Sequence, residues 1–195
     1  TRKIHRNTSW DEARFESCGQ KWMDMSEGHY GVSLLNDCKY GHSALDGVMT
    51  LTLIKSGIEP NPTADQEEHT FTYALYPHAE GWRQANTVQE AMKLNQPLLS
   101  EEGGHAGCQN SFVWVDKSNV IIETVKMAED DDGIIVRLYE SENAKTKAHI
   151  FFGEKISSVE SCNCLEEIKQ TIETDGEGFE ITVKPYEIQT YRVRF

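Results

Sequence analysis

The chain has 195 residues and a formal net charge of −13, because 32 Asp and Glu outnumber 19 Lys and Arg. Binding to a phosphate backbone or an anionic membrane needs clustered basic residues, so this charge argues against nucleic acid and membrane surfaces as partners. No apolar run approaches the ~20 residues that cross a bilayer, and the first residues lack the apolar stretch of a secretory signal.

Most of the chain is predicted to form short strands, because apolar side chains alternate with small or polar ones. Residues 30–34 and 48–53 show this alternation, and Asp46-Gly47 between them is a turn signal. In residues 67–76, Phe71, Tyr73 and Leu75 would share one face of a half-buried strand. Further strands are predicted at residues 112–115, 120–125, 134–139, 149–152, 179–183 and 188–195.

One stretch has helical spacing instead. Its apolar residues recur every three or four positions, at Trp82, Ala85, Val88 and Met92. Pro97 is expected to end any regular structure that precedes it. A short helix or irregular cover is predicted there, and the glycine-rich residues 103–107 follow as a linker between two β-rich parts. Regularly spaced strands without alternating helices are typical of antiparallel sandwiches. The predicted fold class is therefore all-β, an antiparallel β-sandwich followed by a smaller one.

The five cysteines, an odd number in a chain long enough to build a core, favour a reducing cytoplasm over a disulfide-stapled secreted scaffold. No zinc-site spacing such as C-x2-C or H-E-x-x-H occurs. Cys162 and Cys164 would share a face if extended, a pattern more often of two ordinary thiols than of a metal or redox site. Glu67 and His69 would also share a face, with His78 on the opposite one. No metal ligand is predicted.

Catalytic motifs are not found either, since the sequence has neither a G-x-S-x-G elbow nor a glycine-rich phosphate loop. Paired carboxylates hydrolyse glycosides, but 32 acidic residues on a small surface form pairs by chance. The acidic run from Glu129 to Gly133 lacks the ligand pattern of a calcium loop and is predicted to be a solvated hairpin turn. No spacing nominates a Ser/His/Asp triad.

The four tryptophans could stack on sugar rings, since apolar sugar faces pack on aromatic planes. A tryptophan in a sandwich strand, such as Trp114, is more often part of the core. Trp10 and Trp82 flank polar, loop-like stretches and are the better candidates for contact with sugar.

Three segments carry a resemblance to a known family. The first comprises residues 5–11 (HRNTSWD) and 13–16 (ARFE), the second includes residues 34–41 (LLNDCKYG), and the third includes residues 69–78 (HTFTYALYPH). They resemble the C-terminal region of the α-mannosidases of glycoside hydrolase family 38, in the cytosolic and bacterial branch. The resemblance covers nearly the whole chain.

This resemblance implies a zinc-dependent retaining exo-α-mannosidase whose Asp nucleophile and zinc ligands lie in an N-terminal catalytic domain outside this chain. The chain would be a fragment, inert alone, that completes the substrate pocket. Residues 1–102 would be the end of a large supersandwich of the galactose-mutarotase-like type, and residues 103–195 a smaller terminal sandwich. The implied partners are the catalytic domain of the same polypeptide and mannose-containing glycans, in the cytoplasm, with zinc only in the parent enzyme.

The resemblance also points to residues at the pocket or the domain interface. The loop that reaches the active site in relatives corresponds to residues 55–68, where Asp65 is the polar candidate. Asn36, Asp37 and Lys39 form a second cluster, which either faces the catalytic domain or satisfies turn amides at a strand end. Trp10 and Trp82 complete the candidate set. The alternative function is a stand-alone carbohydrate-binding sandwich that binds mannosides by itself.

Overall fold

The structure is a computed structural model that describes residues 8–13, 15–100, 102–103 and 111–195. The chain divides into two compact units, Thr1–Glu101 (unit 1) and Glu102–Phe195 (unit 2). All paired strands in the described residues are antiparallel, which confirms the predicted all-β class. Cys108 and most of the predicted linker lie outside the described residues. Within these described ranges, neither helix has the length and apolar character to cross a bilayer.

Unit 1 contains two three-stranded sheets, with strand orders β1-β4-β5 and β2-β3-β6. Asp46 and Gly47 join β4 to β5, and both have the positive φ values that a type I′ hairpin turn requires, 50° and 79°. The elements are α1 (Ser9–Glu12), β1 (Ser17–Cys18), β2 (Trp22–Ser26), β3 (Tyr30–Asn36), β4 (Gly41–Leu45), β5 (Val48–Thr52), β6 (Tyr73–Ala79) and α2 (Thr87–Asn95).

Helix α2 packs on one face of the β2-β3-β6 sheet, where the sequence predicts a short helix or irregular cover. The helix begins at Thr87, so Trp82 and Ala85 of the predicted pattern lie in the turn before it. Its Val88 and Ala91 side chains are buried. The turn that leads into α2 is held by the Trp22 and Trp82 rings, whose centroids lie 5.1 Å apart. The Tyr76 hydroxyl also donates to the Ala85 carbonyl at 3.0 Å.

A buried polar network lies beneath the start of α2. The Ser33 hydroxyl lies 2.7 Å from Asp24 Oδ1 and 2.8 Å from the Thr87 hydroxyl. His78 Nε2 lies 2.7 Å from the same Asp24 oxygen, and both side chains are almost fully buried. The Ser26 hydroxyl donates to the second Asp24 oxygen. This network joins all three strands of the sheet to the helix, so it fixes where α2 sits.

Strand β6 differs from its prediction in both position and orientation. It begins at Tyr73, six residues later than predicted, and Ala74, Tyr76 and His78 face α2. Tyr73 and Leu75, predicted to share a face of a half-buried strand, are 57% and 67% exposed. Both faces of this strand carry large side chains, so the alternation itself does not say which face is buried.

Unit 2 contains a five-stranded sheet of order β12-β11-β14-β9-β8 and a three-stranded sheet of order β13-β10-β7. The strands are β7 (Val113–Val115), β8 (Val120–Met127), β9 (Ile134–Glu140), β10 (Thr146–Phe152), β11 (Ser158–Cys162), β12 (Ile168–Ile172), β13 (Gly178–Val183) and β14 (Ile188–Arg194). β11 and β12 were not predicted, because their polar residues hide the strand signal.

The core of unit 2 forms from inward side chains of both sheets, as expected for a sandwich. Leu138 from β9, Ile150 from β10 and Phe179 from β13 are 0–1% exposed within one hydrophobic cluster. The Phe179 ring lies 4.9 Å from that of Tyr191 on β14. Burying a side chain of this size stabilises the fold by roughly 1.5–3 kcal/mol.

Glu140, at the end of β9, is a fully buried carboxylate. Its Oε1 accepts hydrogen bonds from Asn119 Nδ2 and the Glu142 amide, each at 2.8 Å, and its Oε2 accepts from the Tyr186 amide at 3.1 Å. Burial by itself would raise the pKa of Glu140, but these donors outweigh it and lower the pKa below its usual value. The carboxylate thus ties three loops to the strand.

Replacing Glu140 by Gln is expected to reduce the free energy of unfolding of unit 2 by about 2 kcal/mol, because the new amide presents a donor to existing donors. Since the folded pKa of Glu140 is depressed, its stabilisation is full above its unfolded pKa and is lost as the pH falls through the folded value. The difference between wild type and Glu140→Gln should therefore shrink from pH 7 to pH 3 in urea titrations. Glu180→Gln, in an exposed ion pair with Lys147, is the control and should change stability by less than ~0.5 kcal/mol.

Replacing Asp24 by Asn is expected to destabilise unit 1 by about 2 kcal/mol, because Ser26, Ser33 and His78 lose a charged acceptor. Hydrogen exchange of the α2 amides should accelerate with the same substitution. Asp46→Asn, at an exposed left-handed turn position that Asn tolerates, is the matched control. Equal α2 protection in Asp24→Asn and Asp46→Asn would show that the network does not hold the helix.

Candidate functional site

The polar turn, residues 36–39, brings three of the predicted site residues together. Asn36 is 1% exposed, its Oδ1 accepts the Lys39 amide at 2.7 Å, and its Nδ2 lies 3.2 Å from His42 Nε2. Its carbonyl oxygen accepts from Asn95 Nδ2 at 3.0 Å. The Asn36 side chain is thus used to build the turn.

Asp37 and Lys39 lie on the outer side of this polar turn. Asp37 Oδ2 accepts the Thr72 amide at 2.9 Å, and the Asp37 amide donates to the Thr72 carbonyl at 3.2 Å. Hydrogen bonds from the Cys38 thiol and the Thr72 amide lower the pKa of the Asp37 carboxyl, and the same carboxylate raises the pKa of the Cys38 thiol. Lys39 Nζ lies 4.7 Å from the centre of the Phe71 ring. Asp37 remains exposed and ionised, so it can accept further hydrogen bonds.

The other predicted site residues lie on three separate segments. Asp65 is exposed with a φ of 57°, and its carbonyl oxygen lies 2.9 Å from His69 Nε2. Trp10 lies in α1 and is 79% exposed. Trp82 is half-buried between Trp22 and the Arg83 guanidinium, which is 4.2 Å from the centre of its ring. Contact of any of these residues with sugar or with another domain remains a prediction.

Ser33, His78 and Asp24 are the residue types of a hydrolytic triad, but their geometry is not that of one. In a triad the imidazole contacts the serine with one nitrogen and the carboxylate with the other. Here His78 Nε2 faces both, at 3.2 Å from the Ser33 hydroxyl and 2.7 Å from Asp24. Ser33 is also fully buried. This network therefore holds the fold and has no nucleophile within reach of a substrate.

Across residues 8–13, 15–100, 102–103 and 111–195, no three His, Cys, Asp or Glu side chains come together to hold a metal ion. His69 contacts the Asp65 backbone, whereas His78 belongs to the buried network. Cys162 and Cys164 do not share a face as the extended reading predicted. Cys162 is buried at the end of β11, and Cys164 is exposed within the following turn, where the Leu165 and Glu167 amides donate to Asn163 Oδ1.

The acidic run from Glu129 to Gly133 forms the predicted hairpin turn, between β8 and β9, but its carboxylates are paired. Asp130 Oδ2 accepts from Arg192 at 2.7 Å, and Asp132 accepts from Arg194 at 2.8 and 3.0 Å. The arginines lower the pKa of both carboxyls. These charges fix the turn onto β14 and leave no arrangement suited to acid–base chemistry.

The sequence analysis missed an aromatic surface on the outward face of the β13-β10-β7 sheet. Trp114, expected in the core, is 42% exposed and stacks on Phe151, with ring centroids 5.4 Å apart and planes 11° from parallel. The alternation in residues 146–152, with Phe151 and His149 opposite Ile150 and Ala148, was the available signal. We call the surface formed by Trp114 and Phe151 the aromatic face.

Two family models match the chain, and both describe the same family. Residues 1–63 match the C-terminal domain of the glycosyl hydrolases family 38, and residues 119–191 match the C-terminal beta sandwich domain of that family. The two matched segments lie in unit 1 and unit 2, respectively.

The chain is similar along most of its length to proteins named as α-mannosidases. It is 37% identical to alpha-mannosidase G of Dictyostelium discoideum over 98% of this chain, and 38% identical to human alpha-mannosidase 2C1 over 85%. An alpha-mannosidase of Saccharomyces cerevisiae is 33% identical over 100% of this chain. The chain spans only 16–20% of the length of these relatives.

A crystal structure of an alpha-mannosidase from Enterococcus faecalis V583 shares the fold. It matches 98% of this chain with a TM-score of 0.73 and 21% identity, and this chain covers 22% of it. The two family models and the relatives together show that the chain belongs to glycosyl hydrolase family 38 and consists of C-terminal β domains of that family.

Proposed function

We propose that this chain is the accessory, pocket-completing C-terminal part of a zinc-dependent retaining exo-α-mannosidase that hydrolyses terminal α-linked mannose. The nucleophile and the zinc ligands belong to an N-terminal catalytic domain of the same polypeptide, and the chain alone is inert. The proposed activity of the parent enzyme is supported by family membership. The proposed accessory role is supported by an exposed face of a sheet in unit 1, which we call the open face.

That open face is the side of the β2-β3-β6 sheet opposite to α2. Register places Leu75 beside Leu34 and Pro77 beside Val32, and their side chains alternate with those that face α2. Leu34 is buried within unit 1, so the exposed part of this face lies along β6. Leu75 remains 67% exposed and Tyr73 57% exposed. Exposed apolar sheet faces mark interaction surfaces, so another part of a longer polypeptide is the occupant we propose.

The described residues do not fit a zinc ion, because no group of three possible ligands comes together among them. What this chain supplies is shape and polar groups: a dry, shaped pocket favours reaction at a sugar, and a packed β domain closes one side of it.

The polar turn and Asp65 are the candidate contacts with that pocket. Asp37 is the most suitable of these groups, because its carboxylate is exposed, ionised and held in one position by the Thr72 amide. Asn36 supports the turn from beneath, and Lys39 lies beside it. Asp65 lies in an exposed loop, where its carboxylate is free to face a neighbouring domain.

The activity is tested with the full-length parent and this chain on a chromogenic α-mannoside, with and without a zinc chelator. We expect the parent to hydrolyse the substrate, to lose activity with chelator and to regain it on addition of zinc. The isolated chain should show no turnover under any of these conditions. A parent that is silent with every divalent metal would overturn the mannosidase proposal, and turnover by the chain would overturn its accessory role.

The open face is tested by replacing Leu75 with Asp in both proteins. Burial of Leu75 against a neighbour is worth roughly 2 kcal/mol, so the parent should inactivate at a temperature about 5 °C lower. The isolated chain should change little, since Leu75 is already exposed there.

Leu75→Met, which keeps the apolar contact, and Leu165→Asp, at an exposed position of unit 2, are the controls for this experiment. Both should leave the parent near the wild-type temperature. An equal loss of stability in the parent and in the isolated chain would locate the effect of Leu75→Asp within unit 1 and contradict the interface.

A further inference from the structure

The aromatic face is built outward from the core of unit 2. On β10, Ala148, Ile150 and Phe152 point into the hydrophobic cluster, and the alternate residues therefore point outward. Phe151 lies directly opposite Trp114 on β7 and Gly178 on β13. A side chain at position 178 would collide with the Ile150 carbonyl and with the His149 ring, so glycine leaves room for the His149 ring that packs on Phe151.

The two rings are held in place before any ligand arrives. The Trp114 and Phe151 rings are nearly parallel. The His149 ring packs against Phe151, and the centroids of these two rings lie 4.3 Å apart. The His149 amide donates to Asp116 Oδ1 at 2.8 Å, which anchors β10 to the loop after β7. Pre-ordered aromatic rings lose little conformational entropy on binding.

Charged groups surround the rings. An open pocket at the aromatic face is lined by Trp114 and Phe151 together with Glu154, Lys155 and Glu177. Among the residues that the structure describes, the side chains of these three charged residues form no ion pair or hydrogen bond. Two carboxylates and one ammonium therefore stand beside an apolar plane, available to a ligand.

This combination selects the chemistry of the ligand. An exposed aromatic plane suits the C–H face of a sugar ring, and carboxylates form strong, charge-assisted hydrogen bonds with hydroxyl groups. Two carboxylates against one ammonium disfavour an anionic ligand. The rings themselves can bury at most about 500 Å², below the ~800 Å² per partner of a standard protein interface.

We propose that the aromatic face of unit 2 binds a neutral pyranose ring of a glycan, with Trp114 as the stacking residue and Glu154 and Glu177 as hydroxyl acceptors. This binding requires no catalysis, so it extends beyond the proposed function and does not depend on it. It gives the chain a glycan contact that its accessory role would not by itself provide.

The test is a titration of the 195-residue chain with methyl α-D-mannopyranoside, followed by ¹H–¹⁵N NMR of the indole N–H signals and of the backbone amides, which the Trp114→Leu variant retains. We expect a saturable shift of the Trp114 signal. Trp114→Leu, which keeps an apolar strand residue, should weaken binding about tenfold, and Glu177→Gln should weaken it several-fold. Tyr186→Leu removes another exposed aromatic residue of unit 2 and should bind as wild type does.

A charged version of the same sugar tests the electrostatic part of the proposal. Mannose 6-phosphate should bind more weakly than methyl α-D-mannopyranoside, and Glu177→Gln should narrow that gap. Absence of a saturable shift, or equal binding by wild type and Trp114→Leu, would overturn the site. So would tighter binding of the phosphate. None of these outcomes bears on the hydrolytic activity of the parent, which is measured separately.

Discussion

A β-strand presents its side chains to two sides in turn, so whatever buries one face of a sheet decides what the other face is free to do. In unit 2 the two sheets bury each other's inner faces around Leu138, Ile150 and Phe179. In unit 1, α2 covers the β2-β3-β6 sheet on one side. The outward faces that remain, one with Leu75 and one with Trp114, are the surfaces on which both functional proposals rest.

The buried carboxylates of Glu140 and Asp24 are both committed to structure. Glu140 satisfies backbone amides of two loops, and Asp24 joins three strands to α2. A buried carboxylate without such donors would cost several kcal/mol, so each of these networks is required by the burial of its own charge. Ser33 and His78 show the consequence for function, since a trio with the composition of a catalytic triad here serves only to position a helix.

The negative charge of the chain is organised rather than spread at random. Arg192 and Arg194 on β14 form ion pairs with Asp130 and Asp132, so the acidic run holds the hairpin turn against β14. Glu154 and Glu177, beside the aromatic rings, form no ion pair with a described residue. A domain that contacts neutral sugars would gain from this division, because unpaired carboxylates accept hydrogen bonds from hydroxyl groups and repel polyanions.

The family resemblance and the structure contribute different parts of the functional picture. Matched segments at both ends of the chain place it in glycosyl hydrolase family 38. The structure shows which candidate side chains are available for further contacts. The Asn36 side chain already bonds within its own turn, whereas Asp37 presents an ionised carboxylate to solvent. Membership of a family therefore does not by itself distinguish a residue that builds the site from one that can contact a substrate.

Local sequence determined the elements whose signals are local: strand alternation in β9 and β14, the Asp46-Gly47 turn, the helical spacing before Pro97, and the grouping of Asn36, Asp37 and Lys39 in one turn. Tertiary structure alone decided which side of β6 is buried, that Trp114 faces outward, and that Asp24, Ser33 and His78 meet although up to 54 residues separate them. It also buried Cys162 and left Cys164 exposed. The reason is that alternation specifies a period but not a side. The side is chosen by the partner that packs against it, and that partner is distant in the sequence.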